Sequence, residues 1–191
     1  MSDSDWIYTL ATASLGIFCG LGIFDGIYFH IYLYRLHMYP ESRLEHWLHT
    51  ARGFIFAPIA YLFFVTNASG LAFWAGFACL VVDLLLESFD VLVEKKAREK
   101  LGGMSSVEAL IHVMATGFRM AALALVISQK PLAAWSLAPG LELPPFPPYL
   151  RWMGILFMVS TFWGGLSHVW LVYSGDKKKA AYRQKPVRIA V

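Results

Sequence analysis

Five long apolar stretches limit what this chain can fold into. A helix needs about 20 apolar residues to cross a bilayer, and each stretch reaches that length. Hydrophobic residues make up 58% of the 191 residues and charged residues only 15%, so a soluble domain of this size would lack the polar surface it needs. We predict an all-α integral membrane protein, a bundle of about five transmembrane helices within residues 1–175. The predicted helices cover approximately residues 6–36, 42–67, 70–98, 105–129 and 148–174.

Basic residues follow the first, third and fifth predicted helices. They are Arg35 and Arg43, then Lys95, Lys96, Arg98 and Lys100, and finally Lys177, Lys178, Lys179, Arg183, Lys185 and Arg188. The positive-inside rule therefore places the N-terminus outside and the C-terminus in the cytoplasm. Residues 176–191 are predicted to form a basic cytoplasmic tail that contacts anionic lipids and not nucleic acid. The predicted location is the bacterial cytoplasmic (inner) membrane.

The motifs of soluble enzymes are absent from the sequence. It has no glycine-rich phosphate loop, no nucleophile elbow and no cysteine pair spaced for zinc. The longest connection, residues 131–149, is rich in proline and predicts an ordered but irregular outer segment. Pro58 predicts a kink in the second helix. Any chemistry is therefore expected from the polar residues inside the membrane.

Ionisable side chains inside a bilayer are unfavourable, so their positions are the best evidence for function in this sequence. At a rise of about 1.5 Å per residue, His30, His49, His112 and His168 lie roughly 8–13 Å from the cytoplasmic ends of their helices. Glu87 lies at a similar depth. All six histidines fall in the inner half of the membrane or in the inner loops. Five helices thus present a histidine or a carboxylate at one depth.

Spacing along the helices adds a second constraint, because residues four apart on an α-helix share a face. Glu45 and His49 form such a pair, and so do Glu108 and His112. The third helix carries carboxylates at steps of four, three and four residues. These are Asp83, Glu87, Asp90 and Glu94. Such a stripe must face the interior of the bundle.

Imidazole and carboxylate groups that converge in a low-dielectric site suit iron, zinc or manganese, because the ions offset the negative charge. We predict a site for two transition-metal ions, with iron favoured and zinc or manganese as alternatives. Dinuclear sites in helix bundles commonly use Glu-x-x-His, whereas this chain has Glu-x-x-x-His. The predicted ligands are His30, Glu45, His49, Asp83, Glu87, Asp90, Glu108, His112 and His168.

A weak internal repeat offers a structural explanation for two of these residues. Ser42-x-x-Glu45-x-x-x-His49 opens the second helix, and Ser105-x-x-Glu108-x-x-x-His112 opens the fourth. Each Ser-x-x-Glu matches a capping box, in which the serine and the glutamate satisfy backbone N–H groups at a helix start. The two glutamates could therefore be helix caps and not metal ligands.

Other polar residues also have structural explanations. Asp83 and Arg119 both fall near the membrane midplane and could form a buried ion pair. Glu94, His37 and His46 lie close to the interface, where we expect solvated side chains. A membrane histidine can also simply form a hydrogen bond between helices.

The favoured function is a membrane metalloprotein with a dinuclear site near the cytoplasmic face. It would be a metal-dependent oxidoreductase that hydroxylates or desaturates a lipid-like substrate. The general logic resembles that of membrane fatty-acid desaturases and hydroxylases, but their dense histidine boxes are absent, since His46-x-x-His49 is the only close pair. The expected partners are membrane lipids and a lipid-like substrate or quinone.

Three alternatives remain open at this point. A b-type haem could use His49 with His112, or His30 with His168, to pass electrons to or from quinone, although the acidic stripe does not suit haem. A proton or divalent-cation transporter could use the same groups, but the outer half offers few polar residues. The chain could also be a homo-oligomer or an accessory subunit whose polar layer only fixes helix packing.

Overall fold

The computed structural model describes residues 3–99, 102–137, 140 and 142–182, with side chains from residue 5 to residue 174. Every regular element in this part of the chain is helical, as predicted. The long helices are α1 (Asp3–Phe24), α2 (Arg43–Ala60), α3 (Gly70–Arg98), α4 (Ser106–Ser128) and α5 (Pro148–Tyr182). Two π-helical segments, Asp25–Leu33 and Tyr61–Val65, continue α1 and α2. Three 3-10 turns cover Leu36–Met38, Pro40–Ser42 and Leu132–Trp135.

Four helical stretches are long and apolar enough to cross a membrane. They are Asp5–Leu33, Pro40–Val65, Ser106–Ser128 and Pro148–Ser174. Large apolar side chains such as Leu92, Val113 and Trp170 are 66–72% exposed, as expected of a surface that faces lipid. The acidic helix α3 is not among the four, so its crossing of the membrane remains a prediction.

The last helix is longer than predicted. α5 continues to Tyr182, whereas the predicted boundary lies at residue 174. The first part of the predicted basic tail is therefore helical. Residues 183–191 of that tail lie outside the described residues, as does Lys100 in the connection after α3.

α2 and α5 pack closely, and two glycines allow it. A Cβ atom added to Gly53 on α2 would lie 2.9 Å from the carbonyl oxygen of Thr161 and 3.0 Å from the backbone of Gly165, both on α5. Small residues let membrane helices approach in this way. α2 also packs on α3, and α1 packs mainly on α4. α2 thus lies inside the bundle, between α3 and α5.

Pro58 lies within α2, close to its end. Because proline has no N–H, it removes a helical hydrogen bond, and the hydrogen-bond pattern changes to π-helical from Tyr61. The segment that follows Pro58 contributes to an apolar core. This core contains Phe63 and Phe73, whose rings meet edge-to-face with centroids 5.8 Å apart. The hydrogen-bond pattern of the helix therefore changes after Pro58, and the side chains there remain well packed.

The connection between α4 and α5 is irregular but held in place, as predicted. The indole of Trp74 donates to the carbonyl of Trp135 at 3.0 Å, and the amide of Asn67 donates to the carbonyl of Pro144 at 2.8 Å. Lys130 Nζ donates to Asn67 Oδ1 and to the carbonyl of Ala68, both at 2.6 Å. Residues 138, 139 and 141 of this connection lie outside the described part.

The two ends of the bundle differ in character. Arg35, Arg43, Lys95 and Lys96 lie at one end, which we call the basic end, and the Lys130 region lies at the opposite end. Buried polar side chains concentrate in the half of the bundle next to the basic end. They include His30, Glu45, His46, Asp90, Glu94, Arg98 and Glu108, each at most 5% exposed.

Candidate metal centre

The π-helical segment after α1 brings Asp25 and His30 to one face. In a π-helix the backbone hydrogen bonds join residues five apart, so these two residues stack, whereas five-residue spacing on an α-helix would separate them. His30 Nε2 lies 3.4 Å from Asp25 Oδ2, and His30 is 2% exposed. Asp25 was not among the predicted ligands, because α-helical spacing does not bring residues five apart to one face.

α4 completes a first ligand group. His112 Nε2 lies 3.0 Å from Asp25 Oδ1, and its other nitrogen, Nδ1, lies 3.3 Å from a Glu94 oxygen. Asp25, His30, Glu108 and His112 each offer one ligand atom, and these atoms all lie within 4.8 Å of one another. Around bound metal ions, a histidine that binds the ion through one ring nitrogen commonly donates its other ring N–H to a carboxylate.

α2 supplies a second ligand group that shares His30. Glu45 Oε1 lies 3.9 Å from His30 Nε2 and 3.9 Å from His49 Nε2. The ligand atoms of His30, Glu45 and His49 also lie within 4.8 Å of one another. The predicted face-sharing of Glu45 and His49 therefore contributes directly to the candidate site.

His30 is the residue that both groups need. Its Nε2 atom is buried and makes no hydrogen bond among the described residues. An unsatisfied buried polar atom of this kind is unfavourable by about 1–3 kcal/mol. A cation bound to this nitrogen would satisfy it, and the mixture of imidazole and carboxylate donors suits iron, zinc or manganese. Buried His, Glu and Asp groups of this chain could therefore bind a metal ion.

Arg98 lies beside both ligand groups. Arg98 was counted only among the basic residues that follow the third predicted helix, but it is fully buried, so its charge is directed into the bundle. Its guanidinium donates to Glu45 at 2.8 Å and 2.9 Å, to Glu108 at 2.8 Å and to Glu94 at 3.1 Å. The sequence does indicate that Arg98 faces the interior, because it follows Glu94 by four residues and so lies on the same helix face as the acidic stripe.

The capping explanation accounts for one serine and for neither glutamate side chain. Ser105 Oγ accepts from the Glu108 backbone N–H at 3.1 Å, so the serine half of that box is confirmed. Ser42 makes no such bond to the start of α2, and that prediction was wrong. Both glutamate carboxylates instead bind Arg98, so the internal repeat brings them to one guanidinium.

Asp83 and Glu87 form a separate layer, further from the basic end. Arg52 donates to Asp83 at 3.1 Å and lies 3.1 Å from Glu87, and Arg119 contacts both carboxylates. The ion pair expected between Asp83 and Arg119 is therefore present. Neither carboxylate belongs to a ligand group, although both were predicted as ligands. Asp90 lies between the layers, 3.5 Å from His49 Nε2 and 3.5 Å from Arg52.

His168 and His46 extend the cluster toward α5. Their Nδ1 atoms are 2.9 Å apart, and the His168 ring stacks on His49 with centroids 5.4 Å apart. His168 thus neighbours the second ligand group without belonging to it. The expectation that His46 and Glu94 are solvated was wrong, because each is 3% exposed. His37, the third residue of that expectation, is partly exposed.

A cavity of about 690 Å³ adjoins the candidate centre. Asp25, His30, His49 and His112 line it, together with apolar residues of α1 and α5. Its volume lies within the roughly 300–1,000 Å³ that is typical of small-molecule sites. The candidate ligands are therefore accessible to a molecule held inside the bundle.

Comparison with known protein families, with characterised proteins and with solved structures finds no match for this chain.

Proposed function

We propose that this chain is an integral membrane metalloprotein whose two ligand groups hold a dinuclear transition-metal centre, and that it is an oxidoreductase acting on a lipid-like substrate. The observation that carries the proposal is His30. It is buried, its Nε2 is unsatisfied, and it lies in both groups of candidate ligands. Asp25, His112 and Glu108 would hold one ion, and Glu45 and His49 would hold the other.

The charge balance of the interior supports two divalent ions. Seven carboxylates and three guanidinium groups lie in the described polar layers, which gives a net charge of −4 if every carboxylate is ionised and every histidine is neutral. Protonation of a histidine that contacts carboxylates, such as His112, would reduce that charge. The carboxylates are Asp25, Glu45, Asp83, Glu87, Asp90, Glu94 and Glu108, and the cations are Arg52, Arg98 and Arg119. Burying uncompensated charge is strongly unfavourable. Two divalent metal ions would supply four positive charges.

The surrounding residues would orient the ligands. Arg98 fixes the carboxylates of Glu45 and Glu108, and Glu94 holds His112 through its Nδ1 atom. Such contacts set the direction and basicity of ligands, and their loss commonly weakens metal binding by about 10–100-fold. Arg98 would therefore be a positioning residue, because it has no free electron pair to offer a metal ion.

The donor set and the cavity support the proposed reaction class. Iron with nitrogen and oxygen ligands supplies oxygen-activating chemistry when bound. Hydroxylation of a C–H bond consumes one dioxygen molecule, two electrons and two protons, and it releases water; desaturation consumes the same reactants and releases two waters. The electrons must come from an external reductant. The adjoining cavity supports a substrate that enters from the membrane.

Metal analysis and an optical spectrum of the detergent-purified protein test the proposal. We expect about two transition-metal ions per chain, one for each ligand group, and no Soret band, because the proposed centre contains no haem. His30→Ala should lose at least half of the metal, because the ion that His30 Nε2 binds loses a buried donor that either group could use. His37→Ala is the matched control, since His37 lies outside both groups, and it should keep the metal.

Other results would contradict the proposal. A Soret band would favour the haem alternative, in which paired histidines hold the iron. Protein that binds neither metal nor haem would leave the charge to be balanced by protons and would favour transport or a structural role. Equal metal content in His30→Ala and His37→Ala would place the metal elsewhere.

A further inference from the structure

The cavity beside the candidate centre is long and runs parallel to the helices. It is lined along α1 and its π-helical continuation from Phe18 to Ile31, and along α5 from Phe157 to Leu171. At 1.5 Å per residue each of these stretches spans roughly 20 Å. One leaflet of the hydrocarbon core is about 15 Å thick. The cavity thus has the length of an extended hydrocarbon chain within one leaflet.

The lining of the cavity changes along its length. The part toward the opposite end is walled by aromatic rings, including Phe18, Phe56 and Phe157. The part toward the basic end contains Asp25 and His112, along with His30. Arg52 and Glu87 line the cavity between these two parts, where they form an ion pair. A ligand that fits both parts has a long apolar portion and only one polar end. That polar end would lie toward the basic end.

Exposed residues line the cavity on two sides, along α1 and its continuation at Ile23 and Ile27, and between α3 and α4. Ser88, Val91 and Val113 line it and are also exposed, Val91 by 56% and Val113 by 71%. The backbones of α3 and α4 are not among the helix pairs that approach closely in the described structure. We call the opening between α3 and α4 the lateral gap.

Two side-chain contacts between α3 and α4 mark the two ends of the lateral gap. Thr116 donates to Glu87 at 2.7 Å on one side, and His112 contacts Glu94 at 3.3 Å on the other. Seven residues separate the two glutamates, so the gap extends about 10 Å along α3. An extended hydrocarbon chain is narrow enough to pass through an opening of this height.

The amine of Lys95 lies next to the lateral gap, on the side of the basic end. Lys95 follows Val91 by four residues, so both lie on one face of α3. Lys95 is exposed, and basic side chains at this level attract anionic lipid head groups. The gap therefore joins an apolar cavity to a site for a negative head group.

We propose that the cavity binds the hydrocarbon chain of an anionic lipid from the leaflet at the basic end, admitted through the lateral gap with its head group near Lys95. The role of this lipid as substrate rests on the proposed metal centre, whereas its binding does not. The chain's methyl end lies among Phe18, Phe56 and Phe157. The carbons nearer the head group lie beside His30 and His112, so these carbons face the candidate centre.

Glycines in the cavity wall provide variants that fill it without disturbing the fold. A Cβ atom on Gly22 or Gly164 would meet no atom within 4 Å, and both residues line the cavity. Gly20 on α1 has the same open surroundings but does not line the cavity. Gly22→Leu and Gly164→Leu should therefore block the hydrocarbon chain, and Gly20→Leu is the matched control.

The experiment measures electron paramagnetic resonance of a long-chain fatty acid carrying a nitroxide near its methyl end, added to delipidated protein in detergent. An immobilised signal is expected for the unsubstituted protein and for Gly20→Leu. Each Leu substitution in the cavity should weaken binding by about tenfold or more, because it displaces several methylene groups. Competition by unlabelled fatty acid or by unlabelled phosphatidylglycerol then identifies which lipid class binds better.

The outcomes separate this inference from the proposed function. No immobilised signal, or equal binding by Gly20→Leu and Gly22→Leu, would overturn the cavity assignment even if the protein holds metal. Chain binding by protein that contains no metal would support the cavity assignment and contradict the metal centre. Lys95→Gln should weaken fatty-acid binding and leave metal content unchanged, and unchanged binding would overturn the head-group position.

Discussion

At the residue scale, Arg98 is fully buried among three carboxylates. One guanidinium has five N–H donors, and here it serves the carboxylates of Glu45, Glu94 and Glu108. Its charge offsets part of theirs, and its fixed geometry sets the directions in which two candidate ligands point. Loss of this residue would leave buried carboxylates without their main partner.

We predict that Arg98→Gln lowers the free energy of unfolding by about 3–5 kcal/mol, because removing one partner leaves the others buried and unpaired. A detergent-to-SDS unfolding titration measures this change. Lys96→Gln, which removes an exposed cation from the same helix, should leave stability unchanged. Similar stabilities of the two variants would show that the Arg98 contacts contribute little.

Lys130 gives a second prediction at the residue scale. It lies beyond α4, and burial lowers the pKa of its amine from 10.5 to about 8. The unfolded chain therefore keeps this proton between about pH 8 and pH 10.5 while the folded chain loses it, so this group makes folding more favourable as the pH rises through that range.

Comparison with Lys130→Met isolates the contribution of Lys130. Unfolding titrations should show the stability of the unsubstituted protein rising relative to Lys130→Met by roughly 1–3 kcal/mol between pH 8 and pH 10.5. Below pH 8 the difference should be constant, because both states of the chain then carry the proton. A difference that stays flat across the whole range would mean that the folded state does not shift this pKa.

At the scale of elements, α-helical spacing predicted side-chain neighbours correctly where the segment is α-helical. It failed where the segment is π-helical. The spacing of four correctly placed Glu45 and His49 on one face, because α2 is α-helical there. Asp25 and His30 are five apart and meet only because their segment is π-helical. Nothing in the apolar sequence around them distinguishes π-helical from α-helical hydrogen bonding, so this pair could not be predicted from spacing.

The contact between α2 and α5 gives a prediction at this scale. Gly53→Val would place a side chain against the Thr161 carbonyl and the backbone of Gly165, neither of which can rotate away. We expect destabilisation of at least about 1–3 kcal/mol, measured by unfolding titration. Gly117→Val on α4 has open space around its Cβ atom and should be tolerated. Equal stability of the two variants would contradict this helix contact.

At the scale of the whole molecule, the sequence predicted a layer of histidines and carboxylates, and the structure brings most of them together. His30, His49 and His112 could be predicted from their depth, because helix rise is regular. Partners on different helices, such as His46 with His168, depend on how the helices pack. Neither the spacing nor the depth of a residue determines which neighbour it faces, so these pairs needed the structure.

Topology tests the number of membrane crossings. If α3 crosses with the four apolar stretches, the two ends of the chain lie on opposite sides of the membrane, with the C-terminus in the cytoplasm. A C-terminal fluorescent protein should then be active, and C-terminal alkaline phosphatase should be inactive in bacterial cells. Active phosphatase at the C-terminus, with the N-terminus on the same side, would mean that α3 does not cross.

X-ray absorption at the edge of the bound metal tests the central claim most directly. The proposed centre predicts nitrogen and oxygen neighbours at about 2.0–2.2 Å, with outer-shell scattering from imidazole. In His30→Ala this imidazole scattering should fall together with the metal content. Absence of a metal edge, or a shell of sulfur neighbours at about 2.3 Å, would contradict a centre built on His30 and its carboxylates.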